Sequence, residues 1–356
     1  MEYLSRLLKT LQQDPNFNYH PRCEKLNLVQ FSFADDLLLF CRGDVLSVQM
    51  LFNCFKEFSE ASGLKANLEK SSIYFGGVPM ADQESILELT GFTRGELPIR
   101  YLGVPLSTKR ISVNQCKPLL DKMLGRISTW TTKYLSYVGR VQLIKSVLFS
   151  IQTFWARIFL LPNKIIQMIE AICRRFLWTE GVEVSKKALL AWEKMCYPRS
   201  AGGLNILDIL QWNRAAVCKL LWNLRKKKDK LWVKWLHIYY GKGRSMWGLV
   251  AGNASWVVRK ILKAKVYLEN VGIQEQDLIQ MEKFSIKKVY VILRGPFQKV
   301  PWRKVVCNNF GAAKWIFILR LIICEKLLTR DKLATWGITD DTICPLCNHE
   351  DESIAH

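Results

Sequence analysis

The sequence predicts an α+β fold, and three observations carry that reading. Two short apolar runs near the N-terminus flank a polar turn, as in a β-hairpin. From residue 111 onward apolar residues recur at helical spacing, with capping signals between the periods. Apolar residues make up 49% of the 356, enough for sizeable cores and too many for bulk disorder. At about 150 residues per domain the length suggests two or three domains.

Element by element, Leu28 to Phe33 and Leu37 to Cys41 read as the two strands, with Ala34-Asp35-Asp36 as the turn between them. Val48, Leu51, Phe52, Phe55 and Phe58 mark one face of a helix that Asp44 can cap and Gly63 can end. Ile73 to Phe75 reads as a strand, Ile86 to Thr90 as the end of a helix before Gly91, and Tyr101 to Val104 as a further strand. Ser112-Val113-Asn114-Gln115 is a capping-box pattern, with Ile111 placed to pack on Cys116. Ile144, Val147, Leu148, Ile151, Trp155 and Ile158 form one helical face that Pro162 stops, and Ile165, Ile169, Ile172 and Phe176 form another. Ala201-Gly202-Gly203 breaks the pattern, helices resume at Leu207, and the glycines from Gly241 to Gly252 mark a loop.

The formal net charge is +21, and it is unevenly spread. Arg214 to Lys304 holds 21 basic and 5 acidic residues, a surplus of 16, whereas the last 52 residues hold 5 basic and 7 acidic. The same middle segment carries Trp222, Trp232, Trp235, Tyr239, Tyr240, Trp247 and Trp256. Cations meet phosphates and rings stack on bases, so the pattern suits nucleic acid, with Lys226, Lys227 and Lys228 as its densest run. Tryptophan at helical spacing also serves as core, and the residues alone leave both readings open. The surplus argues against an enzyme for small neutral substrates.

Eleven cysteines are scattered with no dense framework, no secretory signal opens the chain, and Arg157 and Arg320 interrupt the two most apolar stretches. The expectation is an intracellular protein of nucleus or cytoplasm, not secreted, with reduced thiols and no membrane partner. Most cysteines, such as Cys54 and Cys173, lie on apolar faces and read as core.

Two constellations carry chemistry. Asp35 and Asp36 put adjacent carboxylates at the tip of an apolar hairpin. A hard divalent cation such as Mg²⁺ relieves their repulsion, although acidic turns are also common without one. Cys344-Pro345-Leu346-Cys347 with His356 is a C-x-x-C followed by an imidazole, donors suited to tetrahedral Zn²⁺, with His349 as a competing ligand.

Phe33-Ala34-Asp35-Asp36-Leu37-Leu38-Leu39-Phe40 resembles the catalytic palm motif of reverse transcriptases, in the form carried by plant LINE-type (non-LTR) retrotransposons. Ser62 to Ser71 is similar to the next palm motif, Arg100 to Leu106 to the primer grip, and Leu135 to Ile144 with Phe176-Leu177-Trp178 to the thumb helices. Trp192, Cys196, Pro198 and Gly202-Gly203-Leu204 resemble the connection beyond the thumb. Phe284 to Tyr290, Trp302, Leu327 to Leu333 and Trp336-Gly337-Ile338 resemble the zinc-binding domain at the C-terminus of the same elements. The resemblance implies an RNA-directed DNA polymerase with Mg²⁺ and Zn²⁺ as cofactors and with RNA template and DNA primer as partners. It divides the chain into a partial palm (1–106), thumb-like helices (107–180), a basic helical connection (181–282) and a truncated zinc-binding domain (283–356). It makes Asp35 and Asp36 metal-binding catalytic residues and Lys70 a cation near the leaving pyrophosphate. It assigns primer positioning to Tyr101, Leu102 and Gly103, and zinc ligation to Cys344, Cys347 and His356. Read from residue type alone, Lys70 is equally a surface lysine at a strand start and Tyr101 a packing residue.

The departures matter. The family's first metal-binding Asp and its Gly-rich nucleotide motif stand upstream of the hairpin, and neither has a counterpart here. Met1 to Leu7 resembles the helix that follows that second motif. The family's final zinc-ligating Cys after His356 is likewise without a counterpart. The expectation is therefore a reverse-transcriptase fragment with little or no polymerase activity of its own. The alternative is a non-catalytic nucleic-acid-binding or zinc-binding protein.

Overall fold

The computed structural model describes residues 2–101, 103–106, 110–130, 135–178, 189–241, 245–249, 252, 254–306 and 311–356. By contact the chain forms two compact units, Met1–Lys109 with Lys227–Ala254, and Arg110–Lys226 with Ser255–His356. The architecture is α+β: mostly helix, with three two-stranded sheets among the described residues.

In the first unit the helix Glu2–Leu11 turns Leu4, Leu8 and Leu11 inward, where they meet Phe17, Val29, Leu51 and Phe58. Leu51 and Phe58 come from the helix Val45–Ser62, on the face its periodicity predicts. Its ends are also as expected: the Asp44 carboxylate accepts from Ser47 N at 2.8 Å, and Gly63, at φ +71°, donates to Ser59 O at 2.9 Å. β1 (Gln30–Phe33) pairs antiparallel with β2 (Asp36–Leu39), Phe33 opposite Asp36. The reversal is thus Ala34-Asp35, with Ala34 at φ +51°, and Asp36 is the first residue of the returning strand. Leu37 and Leu39 pack against the unit's core, whereas Phe31 and Phe33 stay exposed on β1.

Two strand expectations are corrected. The strand expected at Ile73 to Phe75 is β3 (Ser72–Ile73), paired in parallel with β4 (Thr93–Arg94). The single strand expected over Tyr101 to Val104 is the reversal of a hairpin, β5 (Ile99–Tyr101) with β6 (Val104–Leu106). Gly103 sits at φ +76°, a conformation that glycine adopts without steric cost and that turns the chain back.

The second unit is helical. Ser112 and Gln115 form the expected capping box, each side chain accepting from the other's backbone N–H at 3.2 and 2.8 Å. The helix Tyr137–Leu143 continues through a π turn, Ile144–Leu148, into Phe149–Ile158. Phe159 then turns extended, and the break that Pro162 announces leaves backbone groups without helical partners. Asn213, fully buried in the helix Ile209–Lys226, fills that need. Its amide accepts from Leu161 N at 2.8 Å and donates to Ala156 O and Phe159 O at 2.7 Å each. At Gly202-Gly203 the backbone folds tightly onto the turn after the helix Trp192–Cys196, and a Cβ on Gly203 would lie 2.0 Å from Tyr197 O. Every described cysteine is free, with Cys173 buried and Cys54 half-buried on their helices.

Candidate metal centre and basic segment

Residues 341–352 form a small hairpin that fixes the first two candidate ligands. Ile343 bridges Asp351 antiparallel, Glu352 N donates to Thr342 O at 2.8 Å, and Cys344 N donates to Glu350 O at 2.7 Å. Asn348 N closes the loop on Cys344 O at 2.8 Å, with Asn348 itself at φ +57°. Arg330, on the helix Arg330–Thr335, ties the hairpin down. Its Nη1 donates to Ile343 O at 2.8 Å and pairs with Asp341 at 2.5 Å, while Glu352 Oε2 accepts from its backbone N–H at 3.3 Å.

The chain then returns His356, whose N–H donates to Ser353 Oγ at 3.1 Å. The Cys344, Cys347 and His356 ligand atoms lie within 4.8 Å of one another, and Cys347 Sγ is 3.2 Å from His356 Nε2. Cys344 is buried and the other two are more open. Backbone N–H groups of Glu350 and His349 aimed at Cys347 bring its thiol down to about 7, and the Cys344 and Cys347 thiols push His356 up. These donors fit zinc: bond lengths of about 2.0–2.3 Å put tetrahedral neighbours roughly 3.5–3.8 Å apart, close to what the trio already spans. His349, the competing candidate, is exposed and outside the trio.

The palm-like residues are arranged differently. Asp35 and Asp36 are exposed, and neither is held in an ion pair among the described residues. Cys344, Cys347 and His356 are the one group of three or more His, Cys, Asp or Glu side chains close enough to share an ion among those residues. The Asp hairpin therefore gathers no third carboxylate among the described residues. Lys70 is exposed, in a turn where its N–H donates to Asn67 O at 3.1 Å. Tyr101 is half-buried at the end of β5, Gly103 is in the reversal, and Leu102 lies outside the described residues. No hydrogen bond or ion pair joins Asp35, Asp36, Lys70 and Tyr101 to each other among the described residues.

In the basic segment the aromatics are partly committed to structure. Trp222 is buried, its Nε1 donating to Met281 O at 3.3 Å. Trp235 Nε1 donates to Arg22 O at 2.7 Å, and the Tyr240 hydroxyl accepts from Arg22 at 2.8 Å, so this cluster packs within the first unit. Lys226 Nζ donates to Ile279 O at 2.9 Å, and Lys228 is exposed. Sequence reasoning missed Glu350, which faces His356, and the Arg330 clamp. A single acidic residue in a polar loop, or a single basic residue at the first position of a short helix, carries no periodic signal.

Residues 284–356 match the family described as zinc-binding in reverse transcriptase. The tail is similar to that domain. An Arabidopsis thaliana protein that bears a ribonuclease H name is 34% identical over 161 residues, which is 44% of this chain and 26% of the relative. The chain spans about a quarter of that relative's length. No described helix is long and apolar enough to cross a membrane.

Proposed function

We propose that these 356 residues are part of the reverse transcriptase of a LINE-type retrotransposon, comprising a palm remnant, thumb-like helices, a basic connection and a zinc-bound tail. The single observation that carries the reading is the coincidence at the C-terminus. The stretch similar to a reverse-transcriptase zinc-binding domain is the one in which two thiols and an imidazole converge. Zinc held there by Cys344, Cys347 and His356 is structural: it cross-links the hairpin to the chain end and adds folding energy to the tail.

The work of these residues is to bind nucleic acid, through the surplus of 16 positive charges between Arg214 and Lys304. Primer extension needs carboxylates that jointly hold two ions, and Asp35 and Asp36 stand without a third among the described residues. Loss of that positioning removes most of the catalysis, so the chain alone is inactive as a polymerase.

The test pairs two assays on the purified chain. With an RNA template, a DNA primer, deoxynucleotides and Mg²⁺, no extension is expected, and template-dependent synthesis overturns the inactivity. In a salt series, binding to nucleic acid should fall steeply and with little sequence preference, and a flat series overturns the binding role. Replacing Lys226, Lys227 and Lys228 together with Ala should weaken all sequences alike.

A further inference from the structure

Glu350 meets both ends of the candidate zinc site. Its backbone carbonyl accepts from Cys344 N at 2.7 Å, so its Cα is fixed against the first thiol. Its side-chain Oε2 lies 3.1 Å from His356 Nδ1. The other ring nitrogen of His356, Nε2, is the one that faces Cys347 Sγ, at 3.2 Å. A neutral imidazole carries one N–H and one lone pair, and which nitrogen holds which decides whether it can bind a metal. A carboxylate at Nδ1 requires the N–H there, and that leaves the lone pair on Nε2, aimed into the trio.

We propose that Glu350 is the positioning residue for His356: it fixes the ring's tautomer and rotation so that Nε2 is presented to zinc between the two thiols. The inference rests on the zinc reading above. While it holds Nδ1, Glu350 is not itself a donor to the ion, because that contact puts its carboxylate at a different ring nitrogen from the one that faces the thiols. It is also absent from the group of side chains that converge. A ring that swings away leaves only the two thiols, and a residue that holds a metal-binding histidine in place is worth about 10- to 100-fold in metal affinity.

The experiment uses the full chain with zinc, measured by competition against a chromogenic chelator, and with cobalt as a spectroscopic substitute. Glu350→Ala should lower zinc affinity about 10- to 100-fold and alter the visible cobalt bands as the imidazole is replaced by water. Glu350→Gln, whose amide oxygen can still accept from Nδ1, should lose less. In a His356→Ala background, Glu350→Ala should cost nothing further, since the residue it acts through is gone. If the unaltered chain binds no zinc, the zinc reading fails and this inference falls with it. If that chain binds zinc and Glu350→Ala binds it equally well, only the Glu350 inference fails. An equal loss in the His356→Ala background also overturns it, because Glu350 would then act through the Cys344 loop.

Discussion

The reversal at Ala34-Asp35 and the loop from Cys344 to Cys347 are both short turns that carry neighbouring metal-capable side chains, yet they end in different states. Around the C-terminal loop a third donor arrives 9 residues after Cys347, and the three ligand atoms come within 4.8 Å. Around the N-terminal turn the strands pair as the pattern demands, but no third carboxylate joins Asp35 and Asp36 among the described residues. The difference is one of closure range. Hairpin, clamp and returning histidine all lie within residues 330–356, so the zinc site is assembled by local chain geometry. A two-metal carboxylate site must draw a ligand from another element, and a hairpin alone cannot supply it.

The sharpest way to break the comparison is to remove a ligand from the loop that closes. Cys347→Ala should reduce zinc affinity by more than the roughly 10- to 100-fold that a supporting residue costs, and expose the tail to protease. A variant that retains zinc and protease resistance would put the metal elsewhere.

Acid should act next. The Cys347 thiol, lowered from 9.0 to about 7, favours the thiolate in the folded tail, so its contribution to the metal-free tail is present above 9.0 and lost as pH falls through about 7. The raised His356 runs the other way: its share is full below 6.5 and lost as pH rises through its folded value. Zinc needs the thiolate and the free Nε2 lone pair, so protons compete with it on the acid side. Affinity should fall by about tenfold per pH unit, or more, below pH 7, as expected when binding releases at least one proton. Affinity that holds steady down to pH 5 would exclude Cys347 as a ligand.

A smaller effect is expected from the clamp. Arg330→Ala removes the guanidinium's contacts to Asp341, Ile343 O and, at 3.8 Å, Glu352 Oε2, keeps the backbone N–H on Glu352, and leaves the three donors, so zinc affinity should drop several-fold, to about tenfold. Arg330→Lys should not restore it, because a point charge cannot span a carbonyl and a carboxylate as the guanidinium does. Full rescue by lysine would reduce the clamp to simple charge balance.

How far the sequence discloses this molecule follows the same rule of range. The Asp44 cap, the Gly63 stop and the Ser112–Gln115 capping box are legible because each involves residues within a few positions of one another. The convergence of Cys344, Cys347 and His356 is legible for that reason too. Pro162 announces that a helix ends, but nothing in the pattern says that Asn213, some fifty residues on, will pair the groups left open. The strand expected at Tyr101 to Val104 fails for a local reason: the apolar run reads as continuous, and only the left-handed Gly103 reveals the reversal. The return of Lys227–Ala254 to the first unit is not legible at all. Its aromatics look like a base-stacking surface until Trp235 and Tyr240 are found on Arg22.

The smallest effect is expected at the hairpin that does not close. Asp35 and Asp36 are adjacent and exposed, so their mutual repulsion is largely screened by water, and among the described residues neither has an ion-pair partner to lose. Asp35→Asn removes one of the two charges and suits a reversal, since asparagine is at home in tight turns. Stability should therefore stay within about 0.5 kcal/mol of the unaltered chain, with any change toward a firmer fold. Thermal unfolding in low salt, with and without Mg²⁺, reads this directly. A loss well beyond that range would mean that the carboxylate is paired in a way the hairpin does not display. Stabilisation by millimolar Mg²⁺ that Asp35→Asn abolishes would mean that this turn holds an ion after all, and the contrast between the two loops would then be one of affinity rather than of closure.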